Sequence, residues 1–170
     1  MENYSLKNYR KKVEGIFSRH PSVQEAPFNE AYKPGLGNMR EFARILGNPH
    51  ESFRSIHVAG TNGKGSVANM LASSLAAAGL KVGLYTSPHI VDFRERMRIA
   101  GTYPGDSQLS LAGFDAPASM VPREYVYSFL CSYEADMQSL ALSFFEITTG
   151  MAFRWFADEK VDVAVIEVGL

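Results

Sequence analysis

The rhythm of apolar positions changes near residue 55 and divides the chain in two. Before that point the apolar residues recur at helical spacing. Leu6, Tyr9, Val13, Ile16 and Phe17 share one face, Ser5 is placed to cap it, and Pro21 lies beyond its end. A turn-rich stretch follows, Tyr32-Lys33-Pro34-Gly35-Leu36-Gly37. Met39, Phe42, Ala43, Ile45 and Leu46 then mark a second amphipathic helix, closed by Gly47-Asn48-Pro49. Residues 1–50 read as a helical lead-in.

From residue 55 onward, short apolar runs alternate with helical segments. The run Ile56-His57-Val58-Ala59, within a strand at 55–59, precedes a helix traced by Val67, Met70, Leu71, Leu75 and Ala78 and stopped at Gly79. Lys81 to Thr86 reads as a second strand. Arg94 to Ala100 reads as a third extended segment, with Met97 and Ile99 alternating against a solvated face of Arg94, Arg96 and Arg98. Residues 101–119, rich in Gly, Pro, Ser and Asp, read as a loop anchored by Leu109, Leu111 and Phe114. Pro122 suits the start of a helix with Val126, Phe129, Leu130, Tyr133, Met137 and Leu140 on one side. Ser143-Phe144-Phe145-Glu146 opens another helix that ends near Asp158. Val161 to Val168 is a β-branched run of the kind buried on both faces of a parallel sheet. The order predicts an α/β fold, an open and mostly parallel sheet with flanking helices, whose core occupies 55–170. Ligands in such sheets bind outside the carboxyl ends of the strands, yet the chain stops at Gly169-Leu170, just past one of those ends. The expectation is a truncated α/β core with an uncovered sheet edge.

The junction between the first strand and its helix carries the candidate chemistry. Gly60-Thr61-Asn62-Gly63-Lys64-Gly65-Ser66 is a glycine-rich turn with one lysine, set between a strand and a helix N-terminus. Glycines let successive N–H groups point inward, and the helix adds the positive end of its dipole. Lys64 can reach toward outer phosphates, and the Ser66 hydroxyl can face a magnesium ion. The spacing departs from the usual phosphate loop: two residues separate Gly60 from Gly63, and Gly65 stands between Lys64 and Ser66. In the required strand–turn–helix setting, the motif points to a nucleoside triphosphate rather than to a solvated turn.

Composition narrows the class without naming it. The 170 residues suit one domain, with 46% hydrophobic and 21% charged residues. A formal net charge of −1 gives no reason to expect nucleic acid or an acidic membrane surface. One cysteine, Cys131, forms no internal disulfide, no run is long enough to span a membrane, and the polar start is not a signal peptide. The expected setting is cytoplasmic.

Taken together, the phosphate loop, Tyr85-Thr86-Ser87-Pro88-His89, Phe93-Arg94-Glu95-Arg96, Phe144-Phe145-Glu146 and Ile166-Glu167-Val168-Gly169-Leu170 resemble folylpolyglutamate synthase/dihydrofolate synthase, in the Mur ligase superfamily. Ala31-Tyr32-Lys33-Pro34-Gly35-Leu36 resembles the start of that family, and the likeness covers nearly the whole chain in order. It implies an N-terminal ATP-binding domain like the Mur ligase central domain, without the C-terminal domain. It further implies that ATP phosphorylates a carboxylate of folate or dihydropteroate and that the amine of L-glutamate attacks the acyl phosphate. By resemblance, Thr61, Asn62, Gly63, Lys64, Gly65 and Ser66 hold ATP phosphates, with Lys64 as the charge-bearing, catalytic member. Ser87 and Glu167 would bind magnesium, with Ser66 a further candidate, and hard oxygens at neighbouring strand ends suit that ion. His89, Arg94, Phe145 and Glu146 are folate or pterin candidates, and a folate carboxylate would offer Arg94, Arg96 and Arg98 a partner in place of a solvated face. His89 also reads as a turn cap, Phe145 as a core aromatic, and Ser143-x-x-Glu146 as a capping box.

Two departures qualify the likeness. The stretch between Gly101 and Pro122 is longer than usual, and the Gly-Gly-Arg segment expected after Leu170 is missing. The resemblance places beyond it a histidine for a second magnesium, a carbamylated lysine and most of the glutamate site. The chain alone is therefore expected not to complete ligation. Two other readings compete: a Mur-type cell-wall ligase, against which Gly65 and Ser-Pro-His argue, and a non-catalytic nucleotide-binding module that pairs with a partner through its last strand.

Overall fold

The computed structural model describes residues 4–19, 35–100 and 120–168. The 101–119 loop with its anchors, Ala31 to Pro34, Pro21 and Gly169-Leu170 lie outside them. The chain forms two compact units, a helical one of Met1–Asn48 with Pro122–Met151 and a sheet-bearing one of Pro49–Val121 with Ala152–Leu170. A boundary near residue 50 was expected; the helical unit also takes in 122–151.

In the helical unit, α1 spans Leu6–Arg19 and α2 spans Gly37–Ile45. The Ser5 hydroxyl accepts the Asn8 N–H at 3.1 Å, the cap that the sequence offers. Tyr9, Val13 and Ile16 are buried along the expected stripe, as are Phe42, Ala43 and Leu46 of the second helix. The single helix expected from Pro122 to Leu140 is instead two, α4 at Arg123–Ser132 and α5 at Glu134–Ser139. Tyr133 breaks it with φ −109° and ψ 13°, and its ring packs 4.9 Å from that of Phe129 and 6.2 Å from that of Phe42, centroid to centroid. Helix α6 spans Phe144–Asp158 and contributes its first turns to this unit and its last to the other.

The sheet unit has four strands: β1 Arg54–Val58, β2 Val82–Tyr85, β3 Met97–Ala100 and β4 Val163–Glu167. Their order is β1-β4-β2-β3, with β4 parallel to both neighbours and β3 antiparallel to β2. The extended segment expected at Arg94–Ala100 begins only at Met97, because Phe93–Arg96 forms a 3₁₀ turn capped by Asp92. Nor is there a solvated cationic face: Arg96 is buried, and Arg94 and Arg98 are half-buried. The β4 strand, buried at all five positions, is internal. Among the described residues the sheet edges are β1 and β3, the latter bridged at Arg98 by Met120, so pairing through the last strand is ruled out by β4's two neighbours.

Helix α3, Lys64–Ala77, packs on the sheet through a face different from the one expected. Val67 and Met70 are 49% and 63% exposed, whereas Ala68, Ala72 and Ala76 are buried. Those alanines sit in one apolar cluster with Val58, Val82, Leu84, Val163 and Val165, with Leu71 and Leu75 at its margin. Small side chains bring the helix axis close to the strands, which larger residues on that face would prevent.

Helix α6 presses on β2 equally closely. A Cβ at Gly83 would lie 2.9 Å from the Phe156 ring, which is wholly buried. Gly83→Ala should therefore lower stability by about 1–3 kcal/mol, the usual cost of overpacking, read as a lower urea midpoint at unchanged slope.

Candidate functional site

Parallel pairing decides where the chemistry gathers. Val58 stands opposite Glu167, and Tyr85 opposite Ile166, so the carboxyl ends of β1, β2 and β4 share one rim. The chain leaves β1 into the glycine-rich turn, β2 into Ser87, and β4 at Glu167 itself. The Val168 N–H bonds the Val58 carbonyl at 3.1 Å and extends the β1–β4 pairing past the strand end.

The turn behaves as its glycines require. Gly60 has φ 150° and Gly63 φ 74°, the second being left-handed backbone at the N-cap of α3. The first turn of α3 carries no acidic residue of its own. Lys64 Nζ donates to the Gly60 carbonyl at 2.6 Å and approaches that of Thr61 at 3.4 Å, folded over its own loop. Thr61, Asn62, Gly63 and Ser66 are exposed, and Lys64 and Gly65 half-buried. An incoming phosphate would draw the ammonium group off two carbonyls, an exchange of neutral acceptors for an anionic one.

Glu167 is 4% exposed, and its Oε2 accepts the Ser87 N–H at 3.2 Å. That oxygen lies 3.7 Å from where a Gly65 Cβ would stand, so the carboxylate faces the phosphate turn. Neither Lys nor Arg pairs with it among the described residues. The donor set fits a hard divalent cation: a buried carboxylate at one strand end and a hydroxyl at the next. Among the described residues no cluster of three or more His, Cys, Asp or Glu could hold a metal ion by itself. Magnesium needs no such cluster, since it takes one or two carboxylates and fills its sphere with phosphate oxygens and water.

The turn after Ser87 is rigid without being a regular element. Glu95 accepts the N–H groups of Ile90, Val91 and Asp92 at 2.8, 3.1 and 2.7 Å, and Asp92 accepts that of Arg94 at 3.0 Å. His89 Nδ1 accepts from Arg96 Nε at 2.9 Å, so this histidine anchors the turn. Arg94 grips Asp92 through Nε and Nη2 at 2.8–3.1 Å, a local bond rather than a displayed charge. Phe145 and Glu146 lie in the other unit, at the start of α6. Glu146 completes the capping box read from the sequence: its Oε2 accepts the Ser143 N–H and hydroxyl, both at 2.8 Å. Phe145 is 39% exposed. The role of Glu95 was not foreseen, although Asp92-x-x-Glu95 carries the same capping signature as Ser143-x-x-Glu146.

The comparisons now bear on this rim. No family model matches the chain. Folylpolyglutamate synthase of Lacticaseibacillus casei is 42% identical over 143 residues, 81% of this chain and 31% of that protein. Folylpolyglutamate synthase of Mycobacterium tuberculosis complexed with ADP superimposes with a TM-score of 0.75 at 29% identity, over 97% of this chain and 33% of that one. An FPGS–AMPPCP–folate complex matches with a TM-score of 0.71 at 35% identity, over 96% and 35% of the two chains. The chain is a homologue of part of the folylpolyglutamate/dihydrofolate synthases. It spans 15% to 31% of the length of the first three curated relatives it matches. Among the described residues no helix is long and apolar enough to cross a membrane.

The Glu95 turn gives a pH prediction. Hydrogen bonds from the Ile90 N–H, then those of Asp92 and Val91, with the nearby His89 charge, hold the Glu95 carboxyl below its ordinary value against a smaller opposing effect of burial. A depressed folded-state pKa stabilises above the unfolded value and is lost as pH falls through the folded one. Ile90–Asp92 should therefore stay ordered at neutral pH and through the ordinary glutamate range, and loosen only below it. Backbone amide relaxation across an acid titration checks this. Glu95→Gln should abolish the pH dependence.

Proposed function

We propose that this chain supplies the ATP- and magnesium-binding part of an ATP-dependent ligase that joins L-glutamate to a carboxylate of folate or dihydropteroate through an acyl phosphate. The single observation that carries the reading is the register that brings the glycine-rich turn, Ser87 and Glu167 to one rim. The nucleotide and folate complexes of similar proteins support it. The whole described chain serves as the ATP-binding region, and no residue of it is assigned to glutamate, since the chain spans only 15% to 31% of the first three curated relatives.

The chemical demand is to hold several anions together while charge migrates from one phosphate to a carboxylate. The main-chain N–H groups of Thr61 to Ser66 face the phosphates, and the α3 dipole adds to their field. Lys64 leaves the Gly60 carbonyl and brings its ammonium group to the transferring phosphate. Glu167, Ser87 and Ser66 would hold magnesium, which when bound neutralises phosphate charge. Glu167 keeps its Ser87 N–H bond in this arrangement, so the two strand ends stay at fixed spacing. For folate, His89 and Arg94 act through the turn they hold in the sheet-bearing unit, while Phe145, with its exposed ring, and Glu146 are separate candidates within the helical unit. By itself the chain binds nucleotide and does not complete ligation.

Lys64→Ala tests the reading where it is most exposed. Removing the ammonium group should weaken binding of a fluorescent ADP analogue by at least about tenfold, consistent with the worth of charge-assisted hydrogen bonds, while the thermal midpoint barely moves. Unchanged affinity would remove the turn from nucleotide binding. Glutamate-dependent ADP release by this chain would overturn its assignment as only part of the ligase.

A further inference from the structure

Contacts around Gly65 form a closed ring through side chains to which no role is assigned above. Asn69 lies one turn further along α3. Its Nδ2 donates to the Gly65 carbonyl at 2.7 Å, and its Oδ1 accepts from Arg98 Nη2, on β3, at 3.2 Å. The same Nη2 stands 3.5 Å from Thr86 Oγ1, next to Ser87 in the chain. Ser87 bonds Glu167, and Glu167 Oε2 faces Gly65. Phosphate turn, β3 guanidinium, β2 end and β4 carboxylate thus meet in one circuit.

Each link has a physical reason. Asparagine is a poor residue inside a helix because its amide competes for backbone partners, and here it uses that capacity on Gly65. The terminal nitrogen Nη2 carries two N–H groups, so one atom of Arg98 reaches acceptors on two elements, Asn69 of α3 and Thr86 at the end of β2. Arg98 is half-buried, so its hydrogen bonds are less screened than those of a surface arginine.

We propose that Arg98 is a positioning residue: through Asn69 and Thr86 it ties the first turn of α3 to the Ser87 strand end and sets the spacing between phosphate turn and carboxylate. It touches neither nucleotide nor cation. The inference rests on the nucleotide reading above. A cation held jointly by phosphates and by strand-end oxygens is sensitive to that spacing, so loosening the tie should weaken the contribution of magnesium while leaving the phosphate contacts of the turn in place.

The test uses the full 170-residue chain as wild type, Asn69→Ala, Arg98→Met and the double variant, each titrated with ADP in excess EDTA and again in excess magnesium. In the wild type, magnesium should tighten ADP binding. Each single variant should keep its metal-free affinity within about twofold and lose about tenfold of the magnesium-dependent gain, the scale of second-layer effects at metal sites. The double variant should lose no more than the worse single one, because both cut the same tie. A magnesium gain kept by both single variants, or losses that multiply in the double, overturns the inference alone. A wild type that binds no ADP in either condition overturns the nucleotide reading, and this inference with it. Asn69→Ala adds a better helix former, so it remains informative if Arg98→Met does not fold. In it, hydrogen exchange at the Ser87 amide should quicken, and an unchanged rate would also count against the tie.

Discussion

The site depends on β4 lying between β1 and β2 with both pairings parallel. Because parallel partners run in step, three strands that start together also end together. The loop after β1, the serine after β2 and the last residue of β4 are then neighbours by construction. Shifting β4 by one residue would turn the Glu167 side chain to the other face of the sheet and place a valine or isoleucine where the carboxylate stands. The register is held by β-branched residues buried on both faces, so the hydrophobic core and the placement of one carboxylate are a single constraint.

Around this rim, order comes from side chains acting on backbone more than from regular structure. Glu95 collects three amides, Asp92 caps the next turn, and His89 accepts from Arg96. Such a turn presents its backbone groups in fixed directions without the spacing rules of a helix or strand. Lys64 does the same for the glycine-rich turn, bonding the carbonyl of the residue that starts it. The loop is therefore partly set before any anion arrives, and less conformational entropy is lost on binding.

The sequence made some of this plain and hid the rest for identifiable reasons. Val161–Val168 reads as a doubly buried strand because nothing polar interrupts Val163 to Ile166, and that strand is where it should be. The glycine-rich turn is legible because the left-handed backbone of Gly63 favours glycine. The burial face of α3 was misread because Val67 and Met70 are larger and more apolar than the alanines beside them. Hydrophobicity ranks residues by what they gain from burial, while a close helix–sheet approach selects them by size. The break at Tyr133 escaped because an aromatic keeps the apolar stripe intact on both sides of it. Arg94, Arg96 and Arg98 looked solvated because charge is read as exposure, yet each has a partner supplied by the fold. Asn69 gave no signal of its own, since its partners come from residues 65 and 98, one local and one distant.

Hydrogen-bonding capacity separates the folate candidates better than position does. A carboxylate oxygen that already accepts two donors has little left to give a ligand, and Glu146 Oε2 accepts both the N–H and the hydroxyl of Ser143. Arg94 directs Nε and Nη2 at Asp92, and His89 commits Nδ1 to Arg96. To bind substrate through those atoms, each would first break a bond that orders its own turn, so the gain from the new contact would be largely cancelled. Glu167 is in the opposite position. Among the described residues its one hydrogen-bond donor is the Ser87 N–H, and a carboxylate taken out of water with so little compensation is costly unless a cation completes it. The same accounting of partners that demotes Glu146 and Arg94 to structural work singles out Glu167 as the place where the rim calls for a positive charge.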